Sequence, residues 1–221
     1  MLLFSVSKRE NLISWRSPAG GGDEHSCLSP LYFLMKKNYI KLIIASAIVY
    51  ASMGIFTPAW YLFLSQKGGS SEFGLALGIM AIAGGVTAYF AGRLADSRNK
   101  PKLLFLSYVL FSLITLGYVF ISSPVAIYFL QAIYGIVGAV IVLLENVMIS
   151  VYTSPDNRGH GMGLLSGVQQ MGVGVFMILG GGIVSIIGIS SVFILVSILL
   201  FMGAFVVLTI APEVKDIENK S

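Results

Sequence analysis

Charged residues are scarce in this 221-residue chain, at 11% of the total, whereas 56% of the residues are hydrophobic. Soluble domains are about 25% charged and roughly 45–50% apolar, so the composition excludes an ordinary soluble domain. The net charge of +4 does not indicate nucleic-acid binding, because the basic residues flank long apolar runs. We therefore expect membrane lipid, and no nucleic acid, as the surroundings of this protein.

Cysteine and histidine are almost absent. The single Cys27 allows no internal disulfide and cannot build a metal site alone. His25 and His160 both lie outside the apolar runs, and no H-E-x-x-H pattern is present. Six-helix intramembrane serine proteases need a buried histidine, so we expect no catalytic residues, no enzyme activity, no metal and no cofactor.

Long apolar runs dominate the rest of the chain. A bilayer core of about 30 Å requires roughly 20 apolar residues in each crossing helix. Six runs meet this requirement, at residues 39–64, 73–91, 103–121, 125–150, 162–187 and 191–211. We predict an all-α membrane protein with six transmembrane helices over residues 39–211 and a tail at 212–221. The third run has little polarity and is interpreted as a lipid-facing or scaffold helix.

Residues 1–38 are predicted to form a flexible leader, since the segment 17–24 is rich in glycine and contains serine and proline. Two alternatives remain open. Met35, directly before Lys36 and Lys37, resembles a natural start, which would leave residues 1–34 untranslated. The leader also resembles a linker that once followed a preceding half.

The basic residues predict the orientation. Thirteen of the fourteen lysines and arginines fall on one side of the predicted spans, and only Lys67 falls on the other. Positive charges are retained in the cytoplasm, so we predict both termini and both charged loops there, in a multi-pass protein of the cell membrane.

The most charged of these loops runs from Gly92 to Lys102 and reads G-R-L-A-D-S-R-N-K-P-K. It contains four basic residues and one acid, Asp96, which can cap the next helix or pair with an arginine. We expect Gly92 to let two helices pack closely. The loop resembles the G-x-L-a-D-r-x-G-r-K loop of the major facilitator superfamily of secondary transporters, with Asn99 in place of the second glycine.

The resemblance covers residues 39–211 and implies one six-helix half of a transporter that usually has two such halves. It also implies a cytoplasmic gate that opens as the halves rock. The residues assigned to this gate are Gly92, Arg93, Asp96, Arg98, Lys100 and, in the loop 153–160, Arg158.

Polar residues inside the spans are the candidates for a transport path. They are Tyr50 in the first span, Gln131, Tyr134, Glu145 and Asn146 in the fourth, and Gln169 and Gln170 in the fifth. Ionisable residues in spans are costly and are functional hypotheses by default. Glu145 is interpreted either as a proton- or cation-coupling carboxylate or as an anchor that pairs with Arg93, Arg98 or Arg158.

The glutamines likewise allow two interpretations, cavity lining or an interhelical hydrogen bond worth about 0.6 kcal/mol. Gln131 and Gly135 resemble the family's R-x-x-x-G segment, with glutamine replacing arginine. The resemblance implies a half-length transporter of a small solute that works as a homodimer or with another six-span half, with proton coupling permitted by Glu145. The alternative is a non-transporting fragment or membrane assembly partner. The substrate, the direction of transport and the coupling ion stay open.

Overall fold

The computed structural model describes residues 25–68, 70–95, 99–121, 123–154 and 157–210. These residues form helices α1 (His25–Gly68), α2 (Ser70–Ala95), α3 (Lys100–Gly117), α4 (Pro124–Tyr152), α5 (Arg158–Ile187) and α6 (Ile189–Leu208). Each of the six is long and apolar enough to cross a membrane. The predicted all-α membrane fold with six transmembrane helices is confirmed.

The sequence explains several helix ends. Pro101 and Pro124 stand in the first turns of α3 and α4, where the missing backbone N–H leaves no intrahelical bond unmade. Gly188 alone separates α5 from α6 and has a φ of +80°, a conformation that glycine adopts without steric cost.

The start of the membrane-spanning part of α1, Lys37–Lys67, and the end of α6 meet at one end of the bundle, where Lys41 Nζ donates to the Thr209 carbonyl. At the opposite end, Tyr128 in the first turns of α4 donates to Glu72 in the first turn of α2. Helices that follow one another in the chain therefore run antiparallel, whereas the closely packed pairs α1–α5 and α2–α4 run parallel.

Two helix crossings bring backbones into direct contact. A Cβ added at Gly135 of α4 would lie 2.1 Å from the Met80 carbonyl oxygen of α2. A Cβ added at Gly54 of α1 would lie 2.5 Å from the Val173 carbonyl oxygen of α5. Only glycine fits at either position, so these residues set how closely the helices of the α2–α4 and α1–α5 pairs approach.

Helices α2 and α5 lie largely on the outside of the bundle. Only 6% of the most apolar stretch of α2 and 11% of that of α5 are buried, against 44% for α1, α3 and α6. Large apolar side chains on the two helices are accordingly exposed, among them Ile82, Tyr89, Phe90, Ile178 and Ile186.

The structure corrects three expectations. Helix α1 begins at His25, directly after the glycine-rich segment 17–24 and inside the predicted flexible leader; residues 1–24 and 211–221 lie outside the described residues. An added Cβ at Gly92 would meet no atom within 4 Å, so the close packing expected there is not found among the described residues. Helix α3 is lipid-facing on one side only: Leu106, Leu110 and Leu113 are exposed, whereas the opposite side is buried in the bundle, with Leu104, Tyr108 and Thr115 fully buried.

Candidate functional site

Glu145 of α4 is 1% exposed and accepts four hydrogen bonds. Its Oε1 accepts from Ser46 Oγ at 2.6 Å and from the Tyr108 hydroxyl. Its Oε2 accepts from the Tyr50 hydroxyl at 3.3 Å and from Gln169 Nε2 at 3.0 Å. A carboxylate offers about four lone-pair positions, so this set of donors satisfies it completely.

The donors come from three other helices. Ser46 and Tyr50 are four residues apart on α1, so they share one face of that helix. Tyr108 extends from α3 and Gln169 from α5. A carboxylate at bilayer depth is costly unless it is fully hydrogen-bonded, and bonds to a charged acceptor are roughly twice as strong as neutral ones. The Glu145 cluster, defined as these five residues, therefore joins four of the six helices.

The two carboxylate oxygens differ in their surroundings. The donors to Oε1, Ser46 and Tyr108, are both 0% exposed, so that oxygen is sealed inside the bundle. The donors to Oε2, Tyr50 and Gln169, are both half-buried. Of the two carboxylate oxygens, Oε2 is therefore the more accessible from outside the bundle.

Three of the residues expected from the sequence lie together in this cluster: Tyr50, Glu145 and Gln169. Two were missed. Ser46 could have been found from its position one helical turn before Tyr50. Tyr108 could have been found from the other hydroxyl side chains of its run, since Ser107, Ser112 and Thr115 lie on the same, buried face of α3.

Gln131 and Tyr134 lie elsewhere. The hydroxyl of Tyr118, the residue that follows α3, donates to Gln131 Oε1 of α4 at 2.9 Å. The Tyr134 hydroxyl donates to Met53 Sδ at 2.9 Å. Gln131 precedes Glu145 by 14 residues, which places the two about 21 Å apart along α4. Neither Gln131 nor Tyr134 is among the four donors to Glu145.

Asn146 is half-buried and Gln170 is exposed. Each follows a member of the cluster directly, so its side chain leaves the helix about 100° away from that neighbour. The four donors on Glu145 do not include either residue.

The predicted gate residues that the structure describes lie at the end of the bundle where the membrane-spanning part of α1 begins. Gly92 is exposed near the end of α2, Lys100 opens α3, and Arg158 is exposed where α5 begins. Three gate residues have side chains outside the described part of the chain: Arg93, Asp96 and Arg98. The donors that contact Glu145 in the described part are uncharged, and no group of three metal-ligating side chains occurs there.

A bundle of six membrane-spanning helices with an ionisable group buried among them is an arrangement typical of secondary transporters. The chain belongs to the Major Facilitator Superfamily, whose family model matches residues 42–221. Members of this family are transporters rather than enzymes.

Three relatives place the chain within the family. It is 26% identical over 160 residues to the uncharacterized MFS-type transporter YitZ of Bacillus subtilis, covering 72% of this chain and 97% of that protein. It is 26% identical over the same length to the multi-drug resistance efflux pump PmrA homolog of Lactococcus lactis, of which it covers 39%. An uncharacterized MFS-type transporter of Methanocaldococcus jannaschii is 22% identical, with 42% covered. The chain thus spans nearly all of the first relative and about two-fifths of the other two.

Proposed function

We propose that this chain is one half of a secondary transporter of the cell membrane that moves a small solute by alternating access, with Glu145 coupling transport to protons. The observation that carries the proposal is the buried Glu145, held by donors from three other helices and closed less tightly at Oε2 than at Oε1. Ionisable groups within membrane spans mark ion pathways and proton relays.

The donors suit a site that gains and loses a proton. The hydroxyls of Ser46, Tyr50 and Tyr108 can each donate to the carboxylate or accept from the carboxylic acid. Glu145 can therefore keep most of its hydrogen bonds in either state. A cationic solute is a second ligand that the same carboxylate could bind. Its positive charge would take the place of the proton near Oε2.

Pairing with a second six-helix half is supported by α5. Four glycines fall within one narrow arc of its exposed surface, where an added Cβ would meet no atom within 4 Å: Gly163, Gly167, Gly174 and Gly181. Gln170 lies on the same arc and is exposed. An amide side chain that faces lipid is unfavourable because its hydrogen bonds are unmade. A glycine-lined helix face lets a second helix approach closely, and an amide on that face can then hydrogen-bond to the second helix. A second copy of this chain, or another six-span half, would cover this face.

We further propose that the termini and the gate lie in the cytoplasm. Lys37, Lys41, Lys100, Lys102 and Arg158 all belong to the end of the bundle where α1 begins. This distribution follows the positive-inside rule. Asp96 and its basic neighbours would then latch the cytoplasmic face.

Proton movement in reconstituted vesicles tests the role of Glu145. Purified protein is placed in vesicles with a pH-sensitive dye inside, and a panel of amphipathic organic cations is added outside. These compounds are chosen because one relative is described as a multi-drug resistance efflux pump. We expect at least one compound to drive proton movement with the wild type and none with Glu145→Gln.

Glu72→Gln is the matched control, because Glu72 also accepts from a tyrosine hydroxyl but lies in the first turn of α2, outside the Glu145 cluster. This variant should keep the wild-type response. An unchanged response in Glu145→Gln would refute the coupling role of Glu145.

A further inference from the structure

A solute that binds Glu145 has to displace one of its present donors. The four hydrogen bonds already occupy the lone-pair positions of the carboxylate. All four donors are uncharged, so they leave the negative charge of an ionised Glu145 unbalanced within the cluster. A cation with an N–H donor can supply both the missing charge and the hydrogen bond of the donor that it replaces.

Tyr50 is the donor that is most easily replaced. Ser46 and Tyr108, which donate to Oε1, are fully buried. Gln169 Nε2 lies 3.0 Å from Oε2, an ordinary length for an N–H···O bond. The Tyr50 hydroxyl is half-buried and lies 3.3 Å from Oε2, beyond the range of about 2.5–3.0 Å that is usual for O–H···O bonds. Its bond is therefore both the weakest of the four and one of the two that can be reached.

The side chains next to this position are aromatic or apolar. Met53 follows Tyr50 by about one turn of α1, and Phe176 follows Gln169 by two turns on the same face of α5. Both are half-buried. The ring of Tyr50 stays near the carboxylate when its hydroxyl turns away, and the face of an aromatic ring attracts a cation. The position beside Oε2 thus combines a negative charge with apolar surface.

We propose that Tyr50 is the exchangeable donor of the Glu145 cluster, and that the position beside Oε2 binds a primary ammonium group carried on an apolar or aromatic body. This inference rests on the proposed function of the same carboxylate and names the class of solute. The Tyr50 hydroxyl competes with the solute for Oε2 and so limits how tightly the solute binds. A quaternary ammonium carries the charge but has no N–H to replace the displaced hydroxyl.

Equilibrium binding of phenethylammonium to the full chain tests the inference. The protein is held in phosphatidylcholine nanodiscs at about pH 8, where a primary amine carries its proton, and empty nanodiscs give the background. The wild type should bind phenethylammonium about tenfold more tightly than its trimethylated analogue, since only the former donates a hydrogen bond to the carboxylate. Glu145→Gln should abolish the binding of both cations.

Tyr50→Phe keeps the ring and removes the competing hydroxyl. We expect this variant to bind phenethylammonium about tenfold more tightly than the wild type, because the solute no longer displaces a hydrogen bond to a charged group. Tyr50→Leu removes the ring as well and should bind less tightly than Tyr50→Phe.

Two further variants make the same tyrosine-to-phenylalanine change elsewhere. Tyr89→Phe, at an exposed position outside the cluster, should bind as the wild type does. Tyr108→Phe removes a donor to Oε1 and should fail to tighten binding, because that oxygen is sealed inside the bundle. Should Tyr108→Phe fail to assemble, Ser46→Ala, which removes the other donor to Oε1, takes its place.

Four results would overturn the inference. Tyr50→Phe could bind no more tightly than the wild type, or the variant at Oε1 could bind as tightly as Tyr50→Phe. The trimethylated analogue could bind the wild type as tightly as phenethylammonium does. Finally, neither cation could bind to the wild type or to Tyr50→Phe.

The two proposals fail separately. If Tyr50→Phe tightens binding but Glu145→Gln still supports solute-driven proton movement, the coupling role of Glu145 is wrong and the ammonium site stands. If that movement is lost in Glu145→Gln while Tyr50→Phe binds no more tightly than the wild type, Tyr50 is not the exchangeable donor and the coupling role stands.

Discussion

The crossing of α2 and α4 gives the sharpest prediction about stability. In Gly135→Ala the new Cβ would lie 2.1 Å from the Met80 carbonyl oxygen and 2.9 Å from its carbonyl carbon. Ordinary contact begins at 3.4 Å, so the two backbones must separate by about 1.3 Å. Both atoms belong to backbone, and no side-chain rotation can relieve the overlap.

Overpacking a well-packed interior costs about 1–3 kcal/mol, occasionally more. Because the overlap here is with backbone, we expect Gly135→Ala at the upper end, about 3 kcal/mol. The assay is reversible unfolding of the purified protein in mixed detergent micelles, followed by loss of helical circular dichroism.

Gly138→Ala is the matched control on the same helix. Its Cβ would meet only Phe111 Cε2, at 3.9 Å, which is ordinary contact. Alanine is favoured over glycine in helices by roughly 0.5–1 kcal/mol, so this variant should be as stable as the wild type or more so. Equal stability of Gly135→Ala and Gly138→Ala would refute the close crossing of α2 and α4.

Three further predictions concern the cluster, the gate and the orientation. Tyr108→Phe should lower the free energy of unfolding by about 1.5–3 kcal/mol, since Glu145 loses a buried donor. The control Tyr89→Phe, at an exposed position, should have no effect. Equal losses of stability in the two variants would contradict the role of Tyr108. Asp96→Asn should impair transport in the vesicle assay while membrane insertion stays intact, and normal transport would remove Asp96 from the gate. In a cysteine-free background, Lys102→Cys should react with an impermeant maleimide only from the cytoplasmic side and Lys67→Cys only from outside; the reverse pattern would invert the orientation.

The six helices could be predicted from the sequence because a bilayer fixes how many apolar residues a crossing helix needs. Their packing could not. Gly74 and Gly78 have the small-xxx-small spacing that favours helix contact, yet an added Cβ at either would meet nothing within 4 Å. Helix α2 instead contacts α4 through Met80 and Gly84. Spacing identifies a face that can pack, and only the arrangement of the neighbouring helices decides which face does so.

The candidate site was predictable in part, because the membrane makes a buried charge costly. The cost of burying a carboxylate singles out Glu145 in the sequence, whatever its partners are. The sequence left open an arginine partner at the membrane surface, whereas the described contacts are with uncharged donors, two of them from α1. The hydroxyl side chains at positions 107, 108, 112 and 115 mark the buried face of α3, but nothing in the sequence pairs Tyr108 with Glu145 in particular.

The central claim is that this chain transports a solute as one of two paired six-helix halves. Native mass spectrometry of the protein released from lipid nanodiscs tests it most directly. The account predicts a dimer, or a complex with a second six-span chain, and Gln170→Leu should weaken that pairing. A strict monomer at all protein concentrations would contradict the claim and favour the alternative, a non-transporting fragment or accessory membrane protein.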